Sequence, residues 1–390
     1  MLAKWQEQLE NMYDQMVAWR RHLHQHPELS FQEVVTPKMI ASILESYGIE
    51  VRRNVGGRGV VGKIAGGRPG KTIALRADFD ALPIQDEKDV PYKSTVPGVM
   101  HACGHDGHTA TLLAVAKVLS EHREQLAGNV VLLHQHAEEV APGGAIAMIE
   151  DGCLDGVDVV FGSHLNSKTP LGTYEYNSGA FAAAADIFEI KVQGRGGHGA
   201  SPHETVDAVV VGAQIVNHLQ TIVSRHVNPM KPAVVTIGSF HAGNAENVIA
   251  DTAVLKGIVR TFDPDVRDDI EQEFKHIVES VCASFRASCE IEYTKGYPAL
   301  VNHEEEANVF ANVIRNTVHD GILEVASPTM GSEDFAYFLH HKPGMFFNTG
   351  AGNADGAHYP HHHPKFDFDE KAMIYAGKAM LSLVHHYTIA

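Results

Sequence analysis

The feature that most limits the fold of this chain is an alternation of short apolar runs with amphipathic stretches, which stops at one point and later resumes. Trp5 to His24 has the spacing of an amphipathic helix. Thr36-Pro37 predicts an N-cap followed by a proline at the first helical position. Met39, Ile40, Ile43, Leu44 and Tyr47 then line one face, and Gly48 supplies the stop. Val60–Ala65 and Thr72–Ala77 are apolar, glycine-bounded runs that predict strands. Thr109–Leu119 reads as a helix, and Val130–Gln135 and Val157–Phe161 as further strands. Strands alternating with helices predict an α/β domain, its central mixed sheet flanked by helices and largely buried.

After Ser178 the texture changes. Asp186–Val192 alternates as a half-buried strand does, with Ile187, Phe188, Ile190 and Val192 set among polar residues. A glycine-rich turn, Gly194–Gly199, leads into a helical pattern from Thr205 to about Arg225. Strand-like segments follow at Ala233–Phe240 and Val248–Phe262, then a helix from Asp265 to Phe285 and a strand at Cys289–Thr294. Strand, helix, strand, strand, helix, strand is the order of a ferredoxin-like α+β sandwich. Helix–strand alternation resumes after Tyr297 and ends in an amphipathic helix at Asp369–Tyr387. The expectation is one domain made of residues 1–180 and 295–390, with residues 181–294 inserted into it. No internal repeat is visible, and the only local bias is the His358–His363 cluster.

At 390 residues, two domains fit better than one hydrophobic core. The formal net charge of −17 argues against a nucleic-acid partner, because phosphate binding needs a basic surface. No stretch has the apolar length of a membrane span, and Met1–Ser30 lacks a signal-peptide core. Four irregularly spaced cysteines, Cys103, Cys153, Cys282 and Cys289, do not suggest a disulfide framework, so a reducing cytoplasm is the expected location. Cys153, Cys282 and Cys289 are read as structural.

The chemistry concentrates in five stretches. They are Arg76-Ala77-Asp78-Phe79-Asp80; Met100-His101-Ala102-Cys103-Gly104-His105-Asp106-Gly107-His108; His134-Gln135-His136-Ala137-Glu138-Glu139; Phe161-Gly162-Ser163-His164; and His358 to Pro364, followed by Lys365-Phe366. In open α/β sheets the ligand crevice lies beyond the carboxyl ends of the strands, so distant stretches can converge there. Thiolate, imidazole and carboxylate together suit a borderline cation such as Zn, Co, Ni or Mn. Cys103 and His105, spaced i and i+2, can face one site from an extended loop. Adjacent residues on extended backbone point to opposite sides, so Glu138 and Glu139 are expected to divide the work. One carboxylate ligates a metal, and the other accepts a proton from water whose pKa a metal lowers from 15.7 to about 7 in the best-known zinc sites.

These residues resemble the aminoacylase, hippurate hydrolase and indole-acetyl-amino-acid hydrolase branch of the dinuclear metallopeptidases, relatives of glutamate carboxypeptidase. The likeness runs from Arg21-His22-Leu23-His24-Gln25-His26-Pro27-Glu28-Leu29 to His362-His363-Pro364-Lys365-Phe366. Between them it takes in Arg76–Pro83, His101–His108, Glu138-Glu139, the His198 turn and Gly331-Ser332-Glu333-Asp334-Phe335, in the family's order. The resemblance implies two divalent metal ions held by Cys103 (bridging), His105, Glu139, His164 and His362, the last chosen over His361 and His363 because it stands two residues before the proline. It implies Glu138 as general acid/base and Asp80 as the carboxylate orienting a ligand such as His105. Related metallopeptidases use a His-x-Asp ligand where this chain has Asp78, and like its branch it is expected to use the Cys103-x-His105 pair instead. The thiolate favours softer ions, whereas the family is often described with manganese. The inserted domain resembles a lid and dimerisation module whose His198 reaches the partner subunit's site to stabilise the oxyanion, a donor worth ~10²–10³ in rate. Asn247 and Arg260 match substrate-contacting positions, Arg260 as a clamp on the substrate's α-carboxylate.

The expected activity is hydrolysis of the amide bond of an N-acyl-L-amino acid by a homodimer or higher homo-oligomer, with no nucleic-acid or membrane partner. A carboxypeptidase or dipeptidase could use the same site. A non-catalytic metal or acyl-amino-acid binding protein is the rival from another class, and it has no need of a carboxylate held beside the metals.

Overall fold

The computed structural model describes residues 1–352 and 359–389. His358 of the histidine cluster and residue 390 of the expected first domain therefore lie outside the described residues. The chain divides into two compact units, one of Met1–Phe181, Val301–Ser327 and Asp334–Ala390, the other of Ala182–Leu300 and Pro328–Glu333.

The first unit is built on an eight-stranded mixed sheet. Its strands run, from edge to edge, Glu50–Val55, Gly59–Ala65, Ala127–Gln135, Arg68–Asp78, Val159–Pro170, Gly344–Gly352, Thr173–Tyr176 and Ile322–Val325. The middle of this order is parallel: Arg68–Asp78 pairs parallel with both of its neighbours, and Val159–Pro170 pairs parallel with Gly344–Gly352. Strands covered on both faces must be apolar continuously rather than alternately, and residues 72–78 and 130–135 are buried without interruption. Helices His105–Glu121 and Ala372–Ile389 pack on each other and on these strands, and Leu2–Asn11 packs on both helices. Trp5, Leu75, Leu113, Phe161, Phe347 and Met380 belong to the resulting core.

Several elements depart from the sequence expectation for identifiable reasons. The first helical stretch is two helices, Leu2–Asn11 and Tyr13–Gln25, separated at Met12 (φ −91°, ψ 3°). Buried Trp5, Leu9, Met16, Arg20 and Leu23 continue one stripe through the break, so periodicity alone does not register it. The next helix begins at Val35, ahead of Thr36-Pro37, and no side chain of its N-cap residue closes it. Instead the Glu28 carboxylate accepts the Val34, Val35 and Thr36 N–H groups at 2.8–3.0 Å. The strand expected to end at Phe161 continues to Pro170, because Gly344–Gly352 pairs with it along that length. His164 is thus a strand residue rather than a strand terminus.

The second unit has a four-stranded antiparallel sheet in the order Ala233–Ala242, Thr252–Thr261, Ala184–Gln193, Ser288–Lys295. Helices Ala208–Thr221 and Pro264–Ser284, capped by the Asp207 and Asp263 side chains, pack on the sheet and on each other around Phe188, Ile215, Leu255 and Phe274. The expected strand Val248–Phe262 is interrupted. Val248–Ile249 pairs separately with Gly197–His198, and the exposed Asp251 carboxylate accepts the Gly196 N–H at 2.8 Å. Among the described residues, no helix is long and apolar enough to cross a membrane.

Candidate metal centre

Asp78 and Gln135 stand level at the carboxyl ends of neighbouring parallel strands. The segments that follow those ends, together with His164, the turn before helix His105–Glu121 and the stretch 361–364, carry the candidate ligands of the first unit. Gly104 sits in the left-handed region (φ +96°) and makes the turn from which that helix starts. Cys103 and His105 therefore converge across a turn, not along the extended loop their spacing suggests. Cys103, His105 and Glu139 present ligand atoms that all lie within 4.8 Å of one another, as do those of Cys103, His164 and His361.

The individual distances set out the cluster. Cys103 Sγ lies 3.3 Å from His164 Nε2. His105 Nε2 lies 3.8 Å from Glu139 Oε1 and 3.9 Å from Glu138 Oε2. His362 Nε2 is 3.3 Å from Glu139 Oε1. The two adjacent glutamates were expected to point to opposite sides; both instead approach the same imidazole nitrogen. Ala137, immediately before them, is left-handed (φ +52°), so the chain turns as it enters the dipeptide and carries both residues toward His105.

The histidines are oriented from behind. His105 Nδ1–H donates to the Asp80 carbonyl at 3.0 Å and approaches Asp80 Oδ1 at 3.2 Å, which leaves Nε2 toward the cluster. His164 Nδ1–H donates to the Leu165 carbonyl at 3.0 Å, so its Nε2 lone pair faces Cys103. His108 is different. Its Nδ1 pairs with Asp78 at 2.6 Å and its Nε2 accepts the Leu165 N–H at 2.9 Å, so both nitrogens are committed to protein partners. Asp78 in turn meets the Arg76 guanidinium at 2.5 Å, and Arg76 also holds Asp334 at 2.8 Å and Gln135 at 2.9 Å. Asp78 is thus a carboxylate locked into a buried ion pair.

The electrostatics test whether these residues fit a cation. Burial pushes the Cys103 thiol up, and the Glu139, Glu138 and Asp78 carboxylates push it further. Burial disfavours a proton on His105, yet Asp78, Asp80 and Glu139 outweigh it and raise that histidine to about 10. Burial also opposes ionisation of Asp78, but Arg76, His105 and His108 hold its carboxyl well below the usual range. The cluster thus carries strong negative potential at the point where the ligand atoms meet. His105 Nε2 and Glu139 Oε1 are buried and make no hydrogen bond among the described residues. Buried polar atoms are rarely left without a hydrogen bond, and a cation answers both the charge and the converging lone pairs. The donor set fits borderline divalent ions.

Two residues near the cluster were not selected from the sequence. His361 faces His164, ring centroids 5.0 Å apart, and its Nδ1 makes no hydrogen bond among the described residues. Glu33 is buried behind Ala137 and accepts its N–H at 3.0 Å. It lies in an irregular segment with no periodicity, so only contact reveals it.

The remaining site candidates lie in the second unit. His198 is exposed, paired in register with Val248, and its Nδ1 accepts the Ala200 N–H at 3.0 Å. Asn247 adjoins it through the Gly199 N–H, which donates to the Asn247 carbonyl at 2.8 Å. Arg260 is half-buried in the strand Thr252–Thr261, and burial lowers its pKa despite Asp186 nearby. It forms no ion pair among the described residues: Asp263 pairs with Lys231 and Asp186 with Arg267.

Comparisons with known proteins place the chain in a family. Residues 74–386 match the family described as Peptidase family M20/M25/M40. The chain is 57% identical over 377 residues to a Bacillus subtilis (strain 168) protein described as an amidohydrolase, YhaA, covering 96% of this chain and 95% of that one. It is 45% identical over 304 residues to an N-acyl-L-amino acid amidohydrolase of Geobacillus stearothermophilus, covering 77% and 82%. The crystal structure of Bacillus subtilis YXEP, titled a dinuclear metal binding peptidase from the M20 family, matches with a TM-score of 0.83 at 34% identity, over 96% of this chain and 98% of that one. The chain belongs to the M20/M25/M40 peptidase family.

Proposed function

We propose that this hydrolase cleaves the amide bond of N-acyl-L-amino acids with two divalent ions, Mn, Zn, Co or Ni, held by Cys103, His105, Glu139, His164 and His362. The observation that carries the reading is the convergence of the Cys103, His105 and Glu139 ligand atoms within 4.8 Å of one another, beside a thiol and an imidazole 3.3 Å apart. The relatives named for N-acyl amino acid hydrolysis support the substrate class. When bound, the ions supply a polarised substrate carbonyl and a water of lowered pKa.

The chain's own residues do the rest. Glu138, beside His105 Nε2, takes the proton of the attacking water. As the water oxygen bonds to the carbonyl carbon and the C–N bond breaks, Glu138 returns that proton to the departing amino nitrogen. Asp80 keeps His105 in the tautomer that presents Nε2. Arg260, with no carboxylate partner among the described residues, is left to grip the α-carboxylate together with Asn247, and His198 donates to the developing oxyanion.

In the same reading the second unit is a ferredoxin-like lid and dimerisation module. Its sheet, read in local strand order from the Ser288–Lys295 edge, runs 4-1-3-2, with two crossing helices packed against it. His198 then serves the partner subunit's site in a homodimer. The four free thiols fit a reducing cytoplasm.

N-acetyl-amino acids, hippurate and dipeptides assayed side by side with Mn²⁺, Zn²⁺ or Co²⁺ decide between the readings. Cleavage of the acyl substrates supports the proposal, preference for dipeptides makes the chain a peptidase, and binding without turnover makes it a receptor. Glu138→Ala abolishes turnover while metal content stays near two per chain; turnover that survives the change removes Glu138 from its role.

A further inference from the structure

Glu33 is only 1% exposed and takes no part in the reaction proposed above. It lies between helices Tyr13–Gln25 and Val35–Ser46, where the Arg58 guanidinium donates to its backbone carbonyl. Its Oε1 accepts the Ala137 N–H at 3.0 Å. Its Oε2 makes no hydrogen bond among the described residues, and the Arg58 Nε stands 3.8 Å away. Ala137 is left-handed (φ +52°), a conformation that an L side chain holds only when its surroundings impose it. Two contacts impose it here: Glu33 takes the N–H, and the Gly144 N–H donates to the Ala137 carbonyl at 3.1 Å. The next two residues are Glu138 and Glu139, both within 4 Å of His105 Nε2.

We propose that Glu33 is a positioning residue that holds Ala137 left-handed and thereby aims Glu138 and Glu139 at His105. It touches neither substrate nor metal. The assignment uses the proposed function only to choose an assay, since the aim of a ligand can also be read from metal binding. Asp80 fixes the far side of the same dipeptide: its Oδ2 accepts the Glu139 N–H at 3.0 Å and the Ser30 hydroxyl at 2.7 Å. The dipeptide is thus held by carboxylates on both flanks, and only Asp80 also reaches a candidate ligand. Burial, with Asp80 nearby, raises Glu33 to about 7, consistent with a group buried for its acceptor oxygen rather than for its charge.

Four variants test this. Glu33→Gln keeps an acceptor for the Ala137 N–H and is expected within ~3-fold of the parent in kcat. Glu33→Met fills the space without an acceptor. It is expected to lose ~10–100-fold in kcat with KM little changed, and its metal-free form to bind Zn²⁺ ~10-fold more weakly. Adding Ala137→Gly to Glu33→Met restores at least ~5-fold, because glycine adopts positive φ without the steric penalty. Glu33→Ala repeats the measurement if the methionine is not accommodated. A merely structural role lowers the thermal midpoint without moving kcat or Zn²⁺ affinity, and glycine at 137 rescues nothing. Parent-like kcat and Zn²⁺ affinity in Glu33→Met, or failure of the double variant to recover, overturns the proposal. If the parent cleaves no N-acyl amino acid, the proposed function fails, and Zn²⁺ titration of the metal-free variants still decides Glu33.

Discussion

Glu138 and Glu139 stand almost equally far from His105 Nε2, so distance does not divide their roles. Glu139 Oε1 also lies 3.3 Å from His362, and its carboxylate is grouped with Cys103 and His105 as a set able to hold an ion. The choice between adjacent histidines is sharper. His362 is exposed and left-handed (φ +67°), and its N–H is pinned to the Ala102 carbonyl at 2.8 Å. His361 is more enclosed and grouped with Cys103 and His164. Burial, with His108, His362 and His105 around it, pushes it down to about 3, so it is a neutral imidazole able to offer a lone pair. Spacing to Pro364 favours His362, and so does contact with Glu139. His362→Ala is accordingly expected to reduce tightly bound metal toward one ion per chain, while His361→Ala leaves the stoichiometry unchanged. Metal analysis of dialysed protein checks this, and the reverse result transfers the ligand role to His361.

Several elements that bury a face were legible in the sequence, and two exposed edge strands were silent. The strand Arg68–Asp78 and the helix His105–Glu121 announce themselves by apolar content, because both are packed on by neighbours. The edge strands Glu50–Val55 and Ile322–Val325 gave no signal. They are mostly exposed, and an edge kept polar, as with Arg52 and Arg53, also resists pairing with other chains. The start of the helix Val35–Ser46 shows how a local rule can be met from a distance. Thr36-Pro37 has the right letters for a cap, yet the acceptor is Glu28, several residues upstream and across a bend. Burial opposes its ionisation, but the Thr36, Val35 and Val34 N–H groups hold it below the usual carboxylate range. Glu28→Ala is therefore expected to cost about 1 kcal/mol of stability at neutral pH, as loss of a helix cap does. Thr36→Val, which removes the residue the letters point to, leaves that helix end capped. Urea unfolding of both variants compares them, and a larger loss for Thr36→Val would return the cap to Thr36.

At the scale of the molecule, a change of periodicity at Ser178 was visible because the second unit has its own core, around Phe188, Leu255 and Phe274, and so its own pattern. The meeting of Cys103, His105, Glu139 and His164 was legible only as an expectation about strand ends, and the left-handed residue just before the two glutamates was not legible at all. Alanine at 137 carries no mark of such a conformation. The same central sheet that builds the site also buries polar groups that the chemistry does not use. His134 is fully buried in the strand Ala127–Gln135, and neither ring nitrogen makes a hydrogen bond among the described residues. Burial alone pushes it down to about 3, against an ordinary value of 6.5. The folded chain then keeps His134 neutral across a range in which the unfolded chain binds a proton. Stability is unaffected above pH 6.5 and falls as pH drops from about 6.5 toward 3, by roughly 1 kcal/mol per pH unit for this residue. His134→Leu removes the proton the unfolded chain would gain, so its stability is expected to fall less steeply with acid than the parent's. Unfolding free energies of the two metal-free proteins between pH 7 and pH 5 test this without metal release confounding the slope, and parallel curves would mean that His134 is solvated or partnered in the folded chain.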